Sequence, residues 1–210
     1  MEMTSRQTNL VREAADWMLI ALLFDCPTGD WKSRVRDLAK EVKDFQLKTA
    51  AQFACVEAGE GLYHSIFGPG GPAPPREVTY RSWVQPGYLL SEISAFYNAF
   101  SYQPKSAETP DHIAIETGFI AFLKLKEAFA LSCGEKENAK IAAKASRDFT
   151  REHLSKFVQQ ITKSLACSEI EYLALASAAL LKRVGADKDR KVRQILPVLG
   201  DLEDSMFECG

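Results

Sequence analysis

Apolar residues recur along this chain at steps of three and four, the spacing that lays one face of an α-helix against a core. Leu10, Ala14, Trp17, Ala21 and Phe24 predict a first helix over about Arg6 to Phe24, stopped by Pro27 and Gly29. Asp30 is placed to cap a second, whose core face is Trp31, Val35, Leu38, Val42 and Phe45. An alanine-rich third over about Lys48 to Tyr63 carries Phe53 and Val56. Leu89, Ile93, Phe96, Tyr97 and Phe100 mark a fourth as an aromatic core stripe. A fifth runs through Ile113, Phe119, Ile120 and Leu123 to about Ser132; its expected start has Thr109 as N-cap, Pro110 in the first position and Asp111 beside the positive dipole end. Glu135 to about Lys163 reads as one long helix with Ile141, Ala145, Phe149, Phe157 and Ile161 buried and a bend near His153. Glu169 to Val184 is another, ended by Gly185. A short helix over about Asp187 to Leu196 and an acidic tail with Met206, Phe207 and Cys209 follow. No stretch sustains strand alternation, so the expected fold is all-α, one domain of about seven to nine helices over residues 1–210, with 185–210 as its tail.

The pattern breaks most sharply at Tyr63 to Tyr80, YHSIFGPGGPAPPREVTY. Between Gly68 and Pro75 stand three glycines and four prolines, a composition that cannot continue a helix. The prolines fix φ and favour a stiff, extended backbone rather than a slack linker. Tyr63 and Phe67, four apart on one helix face, and Tyr80 and Trp83 beyond the loop are expected to pin it to a core.

Composition narrows the function. With 46% hydrophobic and 26% charged residues in 210, the chain can bury one sizeable core. A net charge of −2 argues against a broad nucleic-acid surface, and Lys182 to Arg193 interleaves its cations with Asp187 and Asp189 as a solvated face does. The five cysteines are widely spaced without a CxxC pair, so neither a disulfide framework nor a structural zinc site is expected, and a reducing cytosol fits. The N-terminus lacks a secretory pattern, and the longest apolar run, Met18 to Phe24, has seven residues against the roughly 20 that cross a bilayer.

Candidate chemistry is sparse. His64, His112 and His153 do not fall at metal-ligand spacings, and there is no HExxH. GPGG has a backbone able to approach a phosphate, but proline follows where a phosphate loop needs amides and lysine. No cysteine has a context that would lower its pKa. What remains is recognition: apolar pockets with a few fixed polar groups, suited to gripping a peptide, with His112 at a helix start as the most interesting histidine.

The stretch Tyr63 to Tyr80 resembles the signature loop of the TorD/DmsD/NarJ family of cytoplasmic molybdoenzyme maturation chaperones. Pro110-Asp111-His112-Ile113-Ala114-Ile115-Glu116 is similar to the family's second signature, and Glu152-His153-Leu154 fits a weaker third. Arg76 stands where the family commonly has an aromatic residue and Val78 where it often has serine. The resemblance covers the chain from the first helix to residue 185. It implies a TorD-like fold and a cytoplasmic chaperone, not an enzyme, with no cofactor of its own. Its partner would be the catalytic subunit of a molybdopterin-dependent oxidoreductase, bound at the N-terminal, twin-arginine type leader and held as apoprotein until cofactor is inserted, with export delayed where export occurs. Helix exchange in relatives admits a homodimer.

Carried over position by position, the resemblance places Tyr63, Ile66, Phe67, Pro75, Tyr80, Pro110, Asp111 and His112 in the peptide-binding region, with Glu116 beside them. In that picture Asp111 and Glu116 meet the leader's guanidinium groups, while Tyr63, Phe67 and Tyr80 take its apolar turn. Two other readings stay open at the level of sequence: a nucleotide-binding enzyme, and a helical adaptor that uses its tail.

Overall fold

Thr4 opens the first helix with a reciprocal cap: its hydroxyl accepts from Gln7 N, and the Gln7 side chain accepts from Thr4 N at 2.6 Å. The computed structural model describes residues 4–185 except 105 and 107. Over these it has nine α-helices: α1 (Ser5–Leu23), α2 (Trp31–Glu41), α3 (Phe45–Glu57), α4 (Glu60–Phe67), α5 (Pro86–Ala99), α6 (Ile113–Ser132), α7 (Lys136–Phe149), α8 (Ser155–Ala166) and α9 (Glu171–Val184). A 3-10 turn covers Glu77–Tyr80, and a π-helical turn, Thr150–Leu154, joins α7 to α8. The expected all-α fold is present. The expected helix over 187–196 and the acidic tail lie outside the described residues.

The centre of the molecule is α6. From Ile113 to Ala121 every residue is buried, including Glu116 and Thr117, because α1 and α7 pack along it and the π-helical turn closes beside it. Around Phe119 gather Tyr97, Tyr102 and Phe149, with ring centroids 4.8, 5.2 and 5.0 Å away. On the other side α9 packs against α3 and α8. Arg183, near its end, reaches Asp16 of α1 at 2.9 Å and Asp44, before α3, at 2.8 Å.

Several elements differ from expectation for identifiable reasons. Asp44 accepts from Gln46 N and Leu47 N, so α3 begins at Phe45 and that residue is 81% exposed instead of completing the core face of α2. The buried face of α3 is Leu47, Ala50, Ala51 and Ala54, whose small side chains let α9 approach; Phe53 and Val56 face outward. The expected third helix is broken at Ala58 and Gly59, both extended, and a glycine inside a helix costs about 1 kcal/mol. Ile141 points to solvent while Ala139, Ala142 and Ala145 carry the α7 contact. At 93% exposure, Trp83 pins nothing. The expected long helix is continuous but changes its hydrogen-bonding pattern at Thr150–Leu154, the stretch holding His153.

Candidate functional site

The break after α3 gives α4 its own direction, and α4 delivers three side chains to the interior: Tyr63, Ile66 and Phe67. Tyr63 and Phe67, one turn apart, lie 5.2 Å between centroids, and Phe67 continues to Phe24 of α1's end at 6.1 Å. The loop beyond folds back tightly. Gly70 has φ +81°, and a Cβ at Gly71 would stand 2.3 Å from the Ile66 carbonyl oxygen, so the turn admits no side chain there. Ala73 N then bonds Ile66 O at 3.2 Å, seating Ala73 and Pro75 in the interior.

The two stretches singled out in the sequence meet here edge to edge. Arg76 and His112 form an isolated antiparallel bridge; Ile113 N donates to Pro75 O at 2.8 Å and Glu77 N to Asp111 O at 2.9 Å. Side chains reinforce the joint. The carboxylate of Asp111 accepts from Arg76 Nε at 3.0 Å and from Val78 N at 3.2 Å. Tyr80 is half-buried, stacks on Phe157 at 5.7 Å and donates its hydroxyl to Pro74 O at 2.8 Å, and burial pushes its pKa up to about 12.

His112, not Thr109, is the N-cap of α6, so the helix starts at Ile113 and Pro110 and Asp111 form the turn before it. Its Nδ1 accepts from Ala114 N at 3.2 Å, which leaves the ring proton on Nε2, 3.1 Å from the Tyr63 hydroxyl. That hydroxyl reaches Glu108 Oε1 at 3.4 Å. A line of polar contacts thus runs from the buried helix start to an exposed carboxylate. Burial lowers the His112 pKa to about 4, with Arg76 adding to the effect and Glu108 and Asp111 opposing it.

Behind the joint lies a second polar group that sequence reasoning missed. Glu77 is wholly buried; Arg81 Nη1 meets its Oε1 at 2.6 Å and His153 Nδ1 its Oε2 at 3.0 Å. Arg81 also donates to the Glu152 carbonyl at 3.1 Å, tying the 3-10 turn to the π-helical turn. Glu116 faces Glu77, and burial first, then that neighbour's charge, hold its pKa well above the usual glutamate range. Nothing in the spacing of Glu77 marks it, since one acid in a proline-rich loop carries no periodic signal.

Of the nine carried-over site residues, Tyr63, Ile66, Phe67, Pro75, Asp111, His112 and Glu116 are buried here, and Tyr80 and Pro110 keep partial exposure. The joint therefore brings all of them together as a packed seam. Asp111 already carries Arg76, and Glu116 is enclosed. No group of three metal-ligating side chains occurs among the described residues.

Both halves of the seam, and the π-helical turn, fall within residues 33–163, the span matched by the model of the nitrate reductase delta subunit family. The chain belongs to that family. Its membership agrees with the resemblance carried by the two signatures. A relative within reach is the selenate reductase assembly chaperone protein of Thauera selenatis, 32% identical over 117 residues, which are 55% of this chain and 58% of that protein. The chain thus matches less than two thirds of that relative's length. The delta subunit family and this relative are assembly proteins rather than enzymes. No described helix of this family member is long and apolar enough to cross a membrane.

Proposed function

We propose that the chain is an assembly chaperone for the catalytic subunit of a molybdopterin-dependent oxidoreductase, acting in the cytoplasm as a single domain. It binds that subunit's N-terminal leader beside the seam between residues 63–80 and 108–116. The observation that carries this reading is the seam itself: two signatures far apart in sequence are hydrogen-bonded into one surface, through Arg76 and His112.

The division of labour differs from the one the signatures alone suggest. The buried residues form the frame, and the leader meets the groups at its edge. A leader is cationic at its arginines and apolar after them. Around the seam's Tyr63 the surface is acidic: Glu60, Asp25 and Glu108 all act on Cys26, whose thiol is pushed up by burial and by these charges. Glu108, exposed and held toward Tyr63, is the carboxylate best placed for a guanidinium. Tyr80, with Trp83 and Tyr88 on the exposed chain just beyond it, supplies apolar area.

Titration calorimetry of the purified chain with a synthetic twin-arginine leader of a molybdopterin oxidoreductase tests the proposal. Saturable binding that a twin-lysine leader weakens is the expected result. Absence of binding to the leader, together with recovery of no oxidoreductase from the native host, would remove it.

A further inference from the structure

Glu116 is the least satisfied side chain in the described structure. It is fully buried, and no N–H or O–H of the described residues donates to either of its carboxyl oxygens. An ionised carboxylate in that setting is strongly disfavoured, whereas a protonated one becomes a donor that needs only an acceptor in front of it. Glu77, within hydrogen-bonding reach of the Glu116 carboxyl, is that acceptor. Its charge is balanced by Arg81 at 2.6 Å, and it receives His153 Nδ1 at 3.0 Å, while a carboxylate has capacity for a further donor. His153 Nε2 is also without a partner, and the His153 ring packs against those of Phe149 and Phe96, with centroids 4.6 and 5.7 Å away.

We propose that Glu77 and Glu116 share one proton, held on Glu116, and that this buried acid pair is the clasp fastening the turn Glu77–Tyr80 onto α6 and the π-helical turn. Three elements converge on it. Glu77 belongs to the turn, Glu116 to α6 and His153 to the π-helical turn, so loss of the shared proton loosens all three at once. The surrounding groups do not offer an alternative donor. Arg81 directs its Nη1 to Glu77 and the Glu152 carbonyl, Tyr97 donates to Pro110 O and Tyr102 to Ile115 O, and Asp111 is itself an acceptor, from Arg76 and Val78 N.

The clasp makes the seat of the loop depend on pH in a definite direction. Because the folded-state pKa of Glu116 is raised, its contribution is complete below the ordinary glutamate range and is lost as pH rises through the folded value. Above it two buried anions face each other across the seam. This inference stands apart from the peptide reading: it concerns how the seam is held, whatever binds there.

Carbon-13 NMR of the glutamate carboxyls in the full chain tests it. Glu116 should titrate above the ordinary glutamate range, and Glu77→Gln, which removes the facing charge, should lower that titration. In hydrogen exchange, the ratio of wild-type to Glu116→Gln rates at the amides of Glu77 and Ile113 should start near unity and grow with pH. Ordinary titration of Glu116, or a ratio flat in pH, would overturn the clasp. Should Glu77→Gln fail to fold, those two measurements decide without it.

Discussion

The hydroxyl of Tyr63 lies 3.1 Å from Nε2 of His112, while the other ring nitrogen caps α6 through Ala114 N. One imidazole therefore joins α4 to the start of α6, and it can do so only while Nδ1 keeps its lone pair. Protonation destroys the cap, which adds a local reason to the desolvation that already disfavours charge there.

The consequence for stability has a sign. The unfolded chain takes up a proton at His112 near the ordinary 6.5, and the folded chain only near 4. Stability from this residue is complete above 6.5 and drains as pH falls toward 4, by about 3 kcal/mol at 1.36 kcal/mol per unit. Urea unfolding at pH 7 and pH 4.5 should show most of this loss in the wild type. His112→Asn, which keeps a capping side chain and cannot titrate, should lose correspondingly less over the same interval.

Asp111 holds two partners on different stretches of the loop, Arg76 and the Val78 amide, from a fully buried position. Replacing it by alanine strands that amide and the guanidinium, so Asp111→Ala should cost about 1–3 kcal/mol of folding stability. Arg76→Ala should cost about 0–1 kcal/mol, since the arginine side chain is 38% exposed and water replaces part of the contact. Equal losses in chemical denaturation would contradict the asymmetry. A fold left intact by Asp111→Ala would contradict the burial.

The positions of the elements were legible where large side chains face inward. In α1 the stripe Leu10, Ala14, Trp17, Ala21 and Phe24 is buried as its spacing implies. The stripe failed in α3, where alanines make the close contact and Phe53 and Val56 are left outside, 40% and 82% exposed. Hydrophobicity ranks an alanine below a phenylalanine, but close helix approach selects for size. The seam was legible as two motifs that belong together. Its interior was not, because Glu77, Glu116 and His153 acquire meaning only from a contact spanning 76 residues between Glu77 and His153.

The loop's turn depends on two glycines for different reasons, which separates their substitutions. At Gly70 the obstacle is conformational: φ +81° costs an L-residue about 1–2 kcal/mol. At Gly71 it is steric, with a Cβ placed 2.3 Å from a backbone oxygen that is itself bonded to Ala73 N. Gly71→Ala should lower the melting temperature more than Gly70→Ala, for which about 2–4 °C per kcal/mol is the scale at this length. The reverse order in differential scanning calorimetry would mean the loop can shift away from Ile66 at little cost.

Tyr80 and Trp83 stand three residues apart and are held very differently. Tyr80 is anchored by Phe157 and by Pro74 O, so Tyr80→Phe should cost about 1 kcal/mol of stability through the lost hydrogen bond. Trp83 is 93% exposed, and Trp83→Ala should leave stability within about 0.5 kcal/mol. An aromatic of that size left in solvent contributes nothing to the fold, so any role it has is in binding. Under the proposed function, Trp83→Ala should weaken leader binding by about 1–2 kcal/mol in calorimetry with an unchanged melting temperature. Unchanged affinity would take the segment after the 3-10 turn out of the peptide's path and leave the acidic edge at Glu108 as the place to look.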